Sequence, residues 1–332
     1  MNTRLPPLTL TVAVEHFPIK GTFTISRGSK NEAVVVKVSV FDGAQEGHGE
    51  CVPYARYGET IESVIALIKA QTQLLLQGTD RSAIAAALPP GAARNALDCA
   101  LWDFEAKAAN EHVWKRAGLP APFPAPTCYT LSLGTPGDME KAASEASGHK
   151  ILKVKLGGED DAERIAAVRR GAPDVRLVVD ANEGWTEDNF VANTAACAKA
   201  GVELIEQPLP ANQDGALRSL TSPVPICADE SAHSSNGLEA LAERYQAVNI
   251  KLDKTGGLTE AIKMAREAQK LNLDIMVGCM VGTSLGMAPA LLLAPFAKWV
   301  DLDGPLLLAE DRKDGLLYAE GLVHPPDPVL WG

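Results

Sequence analysis

The 332-residue sequence predicts an α/β fold: a parallel barrel wrapped by helices, preceded by a smaller α+β domain. Three observations predict it. The length exceeds the ~250–300 residues at which a single core stops growing, so two domains are expected. The run Leu119-Pro-Ala-Pro-Phe-Pro-Ala-Pro126 reads as a stiff linker, because proline cannot donate to a ladder and restricts the residue before it. Beyond it, short apolar strands alternate with amphipathic helices, and parallel strands joined by such crossovers form a barrel. An open doubly wound sheet is the runner-up. It wants a glycine-rich phosphate turn after its first strand, and Leu131-Ser-Leu-Gly-Thr-Pro-Gly137 is a weak version.

Taken in order, residues 8–18 and 33–41 are apolar and β-branched, as in strands of a small antiparallel sheet. Between them Thr24–Asn31 reads as a loop carrying Arg27 and Lys30. A second loop, Gly47–Gly58, carries Arg56 and Tyr57 and leads into a helix from Thr60 to Leu76. Ala92–Ala109 has the apolar spacing of a helix face, with Arg94 and Asp98 four apart and placed to pair on its surface. After the linker the expected strands are 127–133, 151–156, 175–180, 202–206, 224–229, 247–252, 273–278 and 299–302. Helices are expected at 159–170, 186–200, 257–271 and 284–297. The residues from Lys313 onward lack this periodicity and are expected to fold back on the first domain.

A net charge of −11 argues against nucleic-acid and anionic-membrane partners. The six cysteines are scattered without paired spacing, which reads as reduced thiols of a cytoplasmic protein. Met1–Leu10 has no apolar leader core, and no run approaches the ~18 apolar residues that span a bilayer. The oligomeric state is left open, a homo-oligomer included.

The chemistry is concentrated at strand ends. In Ile151–Leu156, Lys153 and Lys155 share one face of a strand and the apolar residues share the other. Two ammonium groups on one face need anions opposite them or water. Lys155, Asp180, Glu206, Asp229, Lys251, Cys279 and Asp303 then fall at or just past successive strand ends, spaced by one β/α unit each. Any one of them has an ordinary explanation as a turn-capping group. In a parallel barrel, however, the C-terminal ends of the strands meet in one ring, which is where such barrels carry their sites. Three converging carboxylates, Asp180, Glu206 and Asp229, repel one another unless a cation balances them, and hard oxygen ligands suit Mg²⁺. Lys155 and Lys251 lie on either side of that trio. A lysine serves as a base near neutral pH only if its environment lowers its pKa, and Lys153 is a neighbouring cation for Lys155.

Lys153-Val-Lys155, Val179-Asp-Ala-Asn182, Glu206-Gln-Pro208, Ala228-Asp-Glu230 and Asn249-Ile-Lys-Leu-Asp-Lys-Thr-Gly-Gly257 together resemble the enolase superfamily, muconate-lactonizing subgroup. Asp301-Leu-Asp-Gly-Pro305 resembles its dipeptide epimerases, and Arg27-Gly-Ser-Lys30, Pro53–Thr60, Gly91–Asp103 and Gly278-Cys-Met280 extend the match over nearly the whole chain. The resemblance implies a modified TIM barrel, (β/α)7β, with an α+β capping domain completed by the C-terminal tail. The expected division is 1–124, 125–312 and 313–332.

The resemblance also implies roles. Asp180, Glu206 and Asp229 would bind Mg²⁺, which holds the substrate carboxylate. Lys155 and Lys251 would remove and return the α-proton from opposite faces through a metal-stabilised enediolate, with Lys153 adding positive charge. Asp301 and Asp303 would take the substrate's ammonium, and Arg27 its side-chain carboxylate. Tyr57, Cys279 and Met280 would line the pocket. The implied reaction is epimerisation of L-Ala-D/L-Glu and similar dipeptides, in murein peptide recycling. Within the superfamily the alternative is an N-acylamino-acid racemase or o-succinylbenzoate synthase; outside it, a Schiff-base lyase on a barrel lysine. Gly282 stands where many relatives carry an acidic residue two positions after the Met of this motif.

Overall fold

Eight strands follow one another in chain order within one parallel sheet: Cys128–Leu131, Ile151–Lys155, Arg176–Asp180, Val202–Glu206, Ile226–Ala228, Ala247–Lys251, Asp274–Gly278 and Trp299–Asp301. A parallel bridge from Thr127 to Val300 brings the first and last edges together, so the sheet closes into a barrel. The computed structural model describes residues 4–332; Met1–Thr3, at the start of the expected cap segment and of the apolar-leader reading, lie outside the described residues. Each expected strand is present; 202–206 keeps its bounds and the others are trimmed at one or both ends.

One residue from every strand packs the floor of the lumen: Cys128, Ile151, Val178, Leu204, Cys227, Ala247, Met276 and Trp299. Side chains alternate along a strand, so the residues two and four further on also face inward, nearer the C-terminal mouth. The polar residues Thr130, Lys153, Asp180, Glu206, Asn249, Lys251 and Asp301 occupy those positions. They sit above this buried, largely apolar layer.

Helices Pro136–Glu145, Asp161–Gly171, Glu187–Lys199, Leu258–Lys270 and Ser284–Leu291 cover the outside. Two crossovers use only short turns, Asp214–Arg218 and Leu238–Ala242. The helix expected to run to residue 297 stops at Leu291, and Ala294–Phe296 is a separate 3-10 turn. Pro289 is accommodated within the helix, whereas Pro295 lacks the amide proton that a longer helix needs. No described helix is long and apolar enough to cross a membrane.

In the cap, Thr9–Ile25, Gly28–Phe41 and Glu46–Cys51 form an antiparallel sheet. The segment expected as a loop over Thr24–Asn31 is instead the end of a long hairpin whose turn is only Ser26-Arg27, with Ile25 opposite Gly28. Phe17, Ile19, Phe23 and Ile25 fall on alternate positions of the first strand, but Gly21 and the register break between Pro18 and Phe23 interrupt the pattern, and the return strand over Gly28–Glu32 is polar and exposed. The helix expected over Thr60–Leu76 is broken into Ile61–Lys69 and Thr72–Leu76.

Helix Ala92–Ala109 is buried on nearly all sides, between cap sheet and barrel. Arg94 and Asp98 do not pair on its surface. Arg94 donates to the carbonyls of Thr255 (2.6 Å) and Gly256 (3.2 Å). Asp98 accepts from Thr259 N (2.9 Å) and Oγ1 (2.5 Å). A carboxylate there satisfies an orphan amide at the positive end of helix Leu258–Lys270. The two charged residues thus dock the cap on the segment just after Lys251. Gly257 makes that approach possible: its φ is +107°, and a Cβ would stand 2.5 Å from both Cβ and Oδ2 of Asp98. Gly257→Ala is expected to lower unfolding free energy by about 3 kcal/mol or more, from backbone strain plus overpacking, measured by urea denaturation.

The chain's last residues return to the same helix. Trp331 is buried and its indole donates to Cys99 O (3.1 Å), while Gly332 N donates to Asp103 Oδ1 (2.7 Å). On the way, Tyr318–Ala319 and Leu322–Val323 form a short antiparallel ladder with Ala125–Pro126.

Candidate active site

Strand register sets the mouth of the barrel. Lys155 is opposite Asp180, and Asp180 opposite Glu206. Lys251 is opposite Gly278, and Gly278 opposite Asp301. The strands carrying Lys155 and Lys251 are separated by three others in an eight-stranded barrel, so the two lysines rise from opposite walls.

Oxygens of Asp180, Glu206 and Asp229 lie within 4.8 Å of one another, and all three residues are buried. Lys155 Nζ is 2.6 Å from Asp180 Oδ2, and Lys251 Nζ is 2.6 Å from Asp229 Oδ2. Lys153 Nζ donates to Asp301 Oδ2 at 2.6 Å. It also lies 2.6 Å from Glu206 Oε2, a close charge contact outside hydrogen-bond geometry that leaves that buried oxygen without an aligned donor. Asn249 Nδ2 donates to Glu206 Oε1 (2.6 Å).

Burial and then Asp180 push the Glu206 carboxyl up to about 7. Burial also pushes on Asp180, but Lys155 and Lys153 bring it down to about 2. Burial pulls the Lys251 ammonium down, yet Asp229 and then Glu206 outweigh it and hold it well above the usual lysine range. Lys153 is held high in the same way by Asp301, Glu206 and Asp180. A buried all-oxygen donor set with one carboxylate driven toward protonation fits a hard divalent cation such as Mg²⁺.

On the last strand, Asp303 Oδ2 accepts from Thr130 N (2.6 Å), and burial and then Asp301 push its carboxyl up to about 7. Asp301 Oδ1 is buried with no hydrogen-bond partner. Of the two Asp301 oxygens Lys153 serves Oδ2 alone, so Oδ1, beside Asp303, keeps acceptor capacity that no donor uses. Cys279 and Met280 follow the seventh strand and are half-buried. Burial, then Asp301 and Asp303, push the Cys279 thiol well up, which disfavours the thiolate that a nucleophile needs. A Cβ at Gly282 would stand 3.0 Å from Glu50 Oε1, so an acid at that position would face a carboxylate already buried there and bound to Thr283 and Arg312.

The cap covers the mouth with two loops. Arg27, at the hairpin turn, donates to Glu230 Oε1 (2.7 Å), Tyr54 Oη (3.0 Å) and Asn182 O (2.8 Å). Tyr57 packs edge-on against His233, with ring centres 4.6 Å apart. Burial and then Asp229 keep its phenol protonated, well above the usual tyrosine range.

Three contributors are absent from the expected set. Lys254 is buried, and its Nζ donates to Asp229 Oδ1 (2.5 Å), Asp229 O (2.6 Å) and Asn249 O (3.0 Å). Gln207 Oε1 accepts from Asp229 N (2.9 Å), which fixes that residue from the other side. Glu230 pairs with Arg27 across 203 residues. Each of the three lies within a motif named above, Lys254 in Asn249–Gly257, Gln207 in Glu206–Pro208 and Glu230 in Ala228–Glu230, and that was its available signal.

Fold and ring define a class: a capped α/β-barrel enzyme in which an acidic triad fit for a divalent cation lies between two opposed lysines. Residues 8–118 match the family described as mandelate racemase / muconate lactonizing enzyme, N-terminal domain, and residues 138–328 match enolase C-terminal domain-like. The chain belongs to the mandelate racemase/muconate lactonizing enzyme family of the enolase superfamily. It is similar to an L-Ala-D/L-Glu epimerase of Escherichia coli (strain K12), 45% identical over 95% of this chain and 99% of the relative. It is also similar to an N-acetyl-D-glutamate racemase of Pseudoalteromonas sp, 46% identical over 90% of this chain and 95% of the relative. A solved enolase family member from Agrobacterium tumefaciens, with homology to dipeptide epimerases and with bound sodium and L-Ala-L-Glu, is 51% identical. It superposes with a TM-score of 0.96 over 98% of this chain and 100% of its own. A dipeptide epimerase from Cytophaga hutchinsonii complexed with Mg and D-Ala-L-Val gives 0.89 at 26% identity, over 96% of this chain and 93% of its own.

Proposed function

We propose that the protein is a Mg²⁺-dependent dipeptide epimerase acting on L-Ala-D/L-Glu and similar dipeptides. The observation that carries this reading is the buried triad Asp180, Glu206 and Asp229 standing between Lys155 and Lys251 on opposite walls. Bound at the triad, a divalent cation supplies a Lewis acid for the carboxylate beside the reacting carbon.

The side chains divide the remaining work. Lys155 and Lys251 flank the α-carbon; one takes its proton and the other delivers one to the far face, so the centre inverts. Lys251 owes its high pKa to Asp229 and Glu206. With those carboxylates committed to a cation, that support is withdrawn and the lysine can exchange its proton near neutral pH. Lys153 keeps positive charge beside the oxygens on which negative charge develops. Lys254 and Gln207 hold Asp229 in place.

Asp301 and Asp303 receive the substrate's ammonium, which gives Asp301 Oδ1 the donor it lacks. Arg27 serves the side-chain carboxylate, and Tyr57, Cys279 and Met280 shape the pocket. Formal charge is consistent with this substrate. Five ring carboxylates against lysines 153, 155, 251 and 254 leave one negative charge, which a divalent cation reverses to suit a dipeptide with one ammonium and two carboxylates. The reading places the enzyme in the cytoplasm, in the recycling of murein peptides.

The 46% identity to an N-acetyl-D-glutamate racemase favours a second reading, N-acylamino-acid racemisation. An acyl carbonyl offers no donor to Asp301 and Asp303, which sets the dipeptide ahead. Incubation in D₂O with a panel of dipeptides and N-acylamino acids, read by mass spectrometry, decides between them. Exchange of the α-proton is expected for Ala-Glu and is lost on chelation and restored by Mg²⁺. Exchange confined to N-acyl substrates would overturn the dipeptide reading. Chelator-resistant turnover with borohydride trapping would instead indicate a Schiff-base lysine.

A further inference from the structure

We propose that Glu183 is a positioning residue: it anchors both cap loops to the barrel and so holds Arg27 and Arg56 over the mouth. The proposal deepens the reading above and rests on it only for what lies beneath the loops.

The strand Arg176–Asp180 ends at a triad residue, and the chain then turns through two successive left-handed non-glycine residues, Asn182 (φ 45°) and Glu183 (φ 64°). Side chains disfavour that conformation, so the surroundings must hold it. They do so from the neighbouring crossover: Glu183 N donates to Gln207 O (2.9 Å), and Ala211 N donates to Glu183 Oε1 (2.9 Å). The carboxylate is thereby aimed at the cap, with only 9% of the side chain exposed.

It meets both loops there. Arg56 Nε donates to Glu183 Oε2 (2.9 Å) and Arg56 Nη2 to Oε1 (2.8 Å), a two-pronged pair. Arg27 Nη1 donates to Oε2 (3.3 Å). The same turn takes the hairpin tip a second way, because Asn182 O accepts from Arg27 Nη1 (2.8 Å) and Ser26 Oγ (3.0 Å). Apolar packing at the Arg56 loop is slight: Ala55–Tyr57 is a single 3-10 turn with no buried residue, and its ring contacts are those of Tyr57 with Tyr54 and His233. Ser26 and Arg27 are exposed. Along Arg56, Glu183, Arg27 and Glu230 the charges alternate, and removing Glu183 leaves two guanidinium groups facing each other.

Glu183 touches none of the acids of the triad or its flanking lysines, so its loss should act on capture rather than on proton transfer. In the Mg²⁺-loaded enzyme, Glu183→Ala and Glu183→Gln are expected to speed hydrogen exchange over residues 22–30 and 52–58, and tryptic cleavage at Arg27, Lys30 and Arg56, by about tenfold. Protection of the barrel strands stays as in the parent. For Ala-Glu, KM rises about tenfold with kcat within about threefold, the pattern of lost uniform binding. In a chain carrying Arg27→Ala and Arg56→Ala, Glu183→Ala raises KM no further. Glu183→Gln keeps the side chain's shape if the alanine variant folds poorly. Loop exchange and cleavage equal to the parent's in the glutamine variant would overturn the proposal, as would a kcat loss without a KM change. A parent enzyme inert toward every dipeptide would instead overturn the functional reading, while loop protection still decides the role of Glu183.

Discussion

Lys155→Ala and Lys251→Ala are each expected to reduce epimerisation of Ala-Glu by about 10³-fold or more. A positioned acid or base contributes about 10²–10⁴-fold, and in the proposed reaction two such groups act in succession on opposite faces. The lysines rise from opposite walls of the barrel and are held by different carboxylates, Asp180 and Asp229, so neither can reach round to do the other's work. The singly substituted enzymes should therefore differ in kind. Each retains deuterium exchange with at most one epimer, and the two variants retain it with opposite epimers. Polarimetry for turnover and mass spectrometry for exchange separate these effects. Near-normal epimerisation by either variant would refute the two-base assignment.

Asp303→Asn is expected to move function and stability in opposite directions. Losing a charge-assisted contact to the substrate's ammonium should lower dipeptide kcat/KM by about 10–100-fold, while N-acylamino acids are little affected. Stability follows from the sign of the shift. Burial and Asp301 raise the folded carboxyl to about 7, above its ordinary value near 4. The folded protein therefore keeps a proton that the unfolded chain releases. That contribution is fully present below about pH 4 and is lost as pH rises through about 7. Asparagine is neutral throughout and still accepts from Thr130 N, so the variant should melt above the parent at pH 8 and show little difference at pH 4. Dipeptide kcat/KM of the parent should fall as pH drops below about 7, and that limb should flatten in the variant. Equal loss toward dipeptides and N-acylamino acids would remove Asp303 from ammonium recognition.

Much of the barrel was legible because a strand's alternation is local. Lys153 and Lys155 were readable as sharing a face without knowledge of anything else, and the spacing of one β/α unit between acids was enough to place them on one rim. The cap was less legible. Arg94 and Asp98 have the spacing of a surface pair, and only docking on Thr255–Thr259 shows that both are buried charges serving a helix end. In the hairpin arm around Arg27, Ile19, Phe23 and Ile25 alternate on one strand, but its partner Gly28–Glu32 is polar and is held by backbone pairing, so the turn read as a loop.

What the sequence determined by itself is therefore the periodic part: eight strands, the lumen-facing positions, and the acids and lysines that occupy them. Side-chain alternation depends only on neighbours along the chain. The tertiary structure decided who meets whom. Lys153 finds Asp301 across 148 residues, Asp303 finds the Thr130 amide across 173, and Arg27 finds Glu230 across 203. Lys254 and Glu183, to which the sequence assigned no role, are drawn into the site by the closure of the barrel and the seating of the cap. A charge's role is set by the field at its final position, and that field belongs to residues far away in sequence.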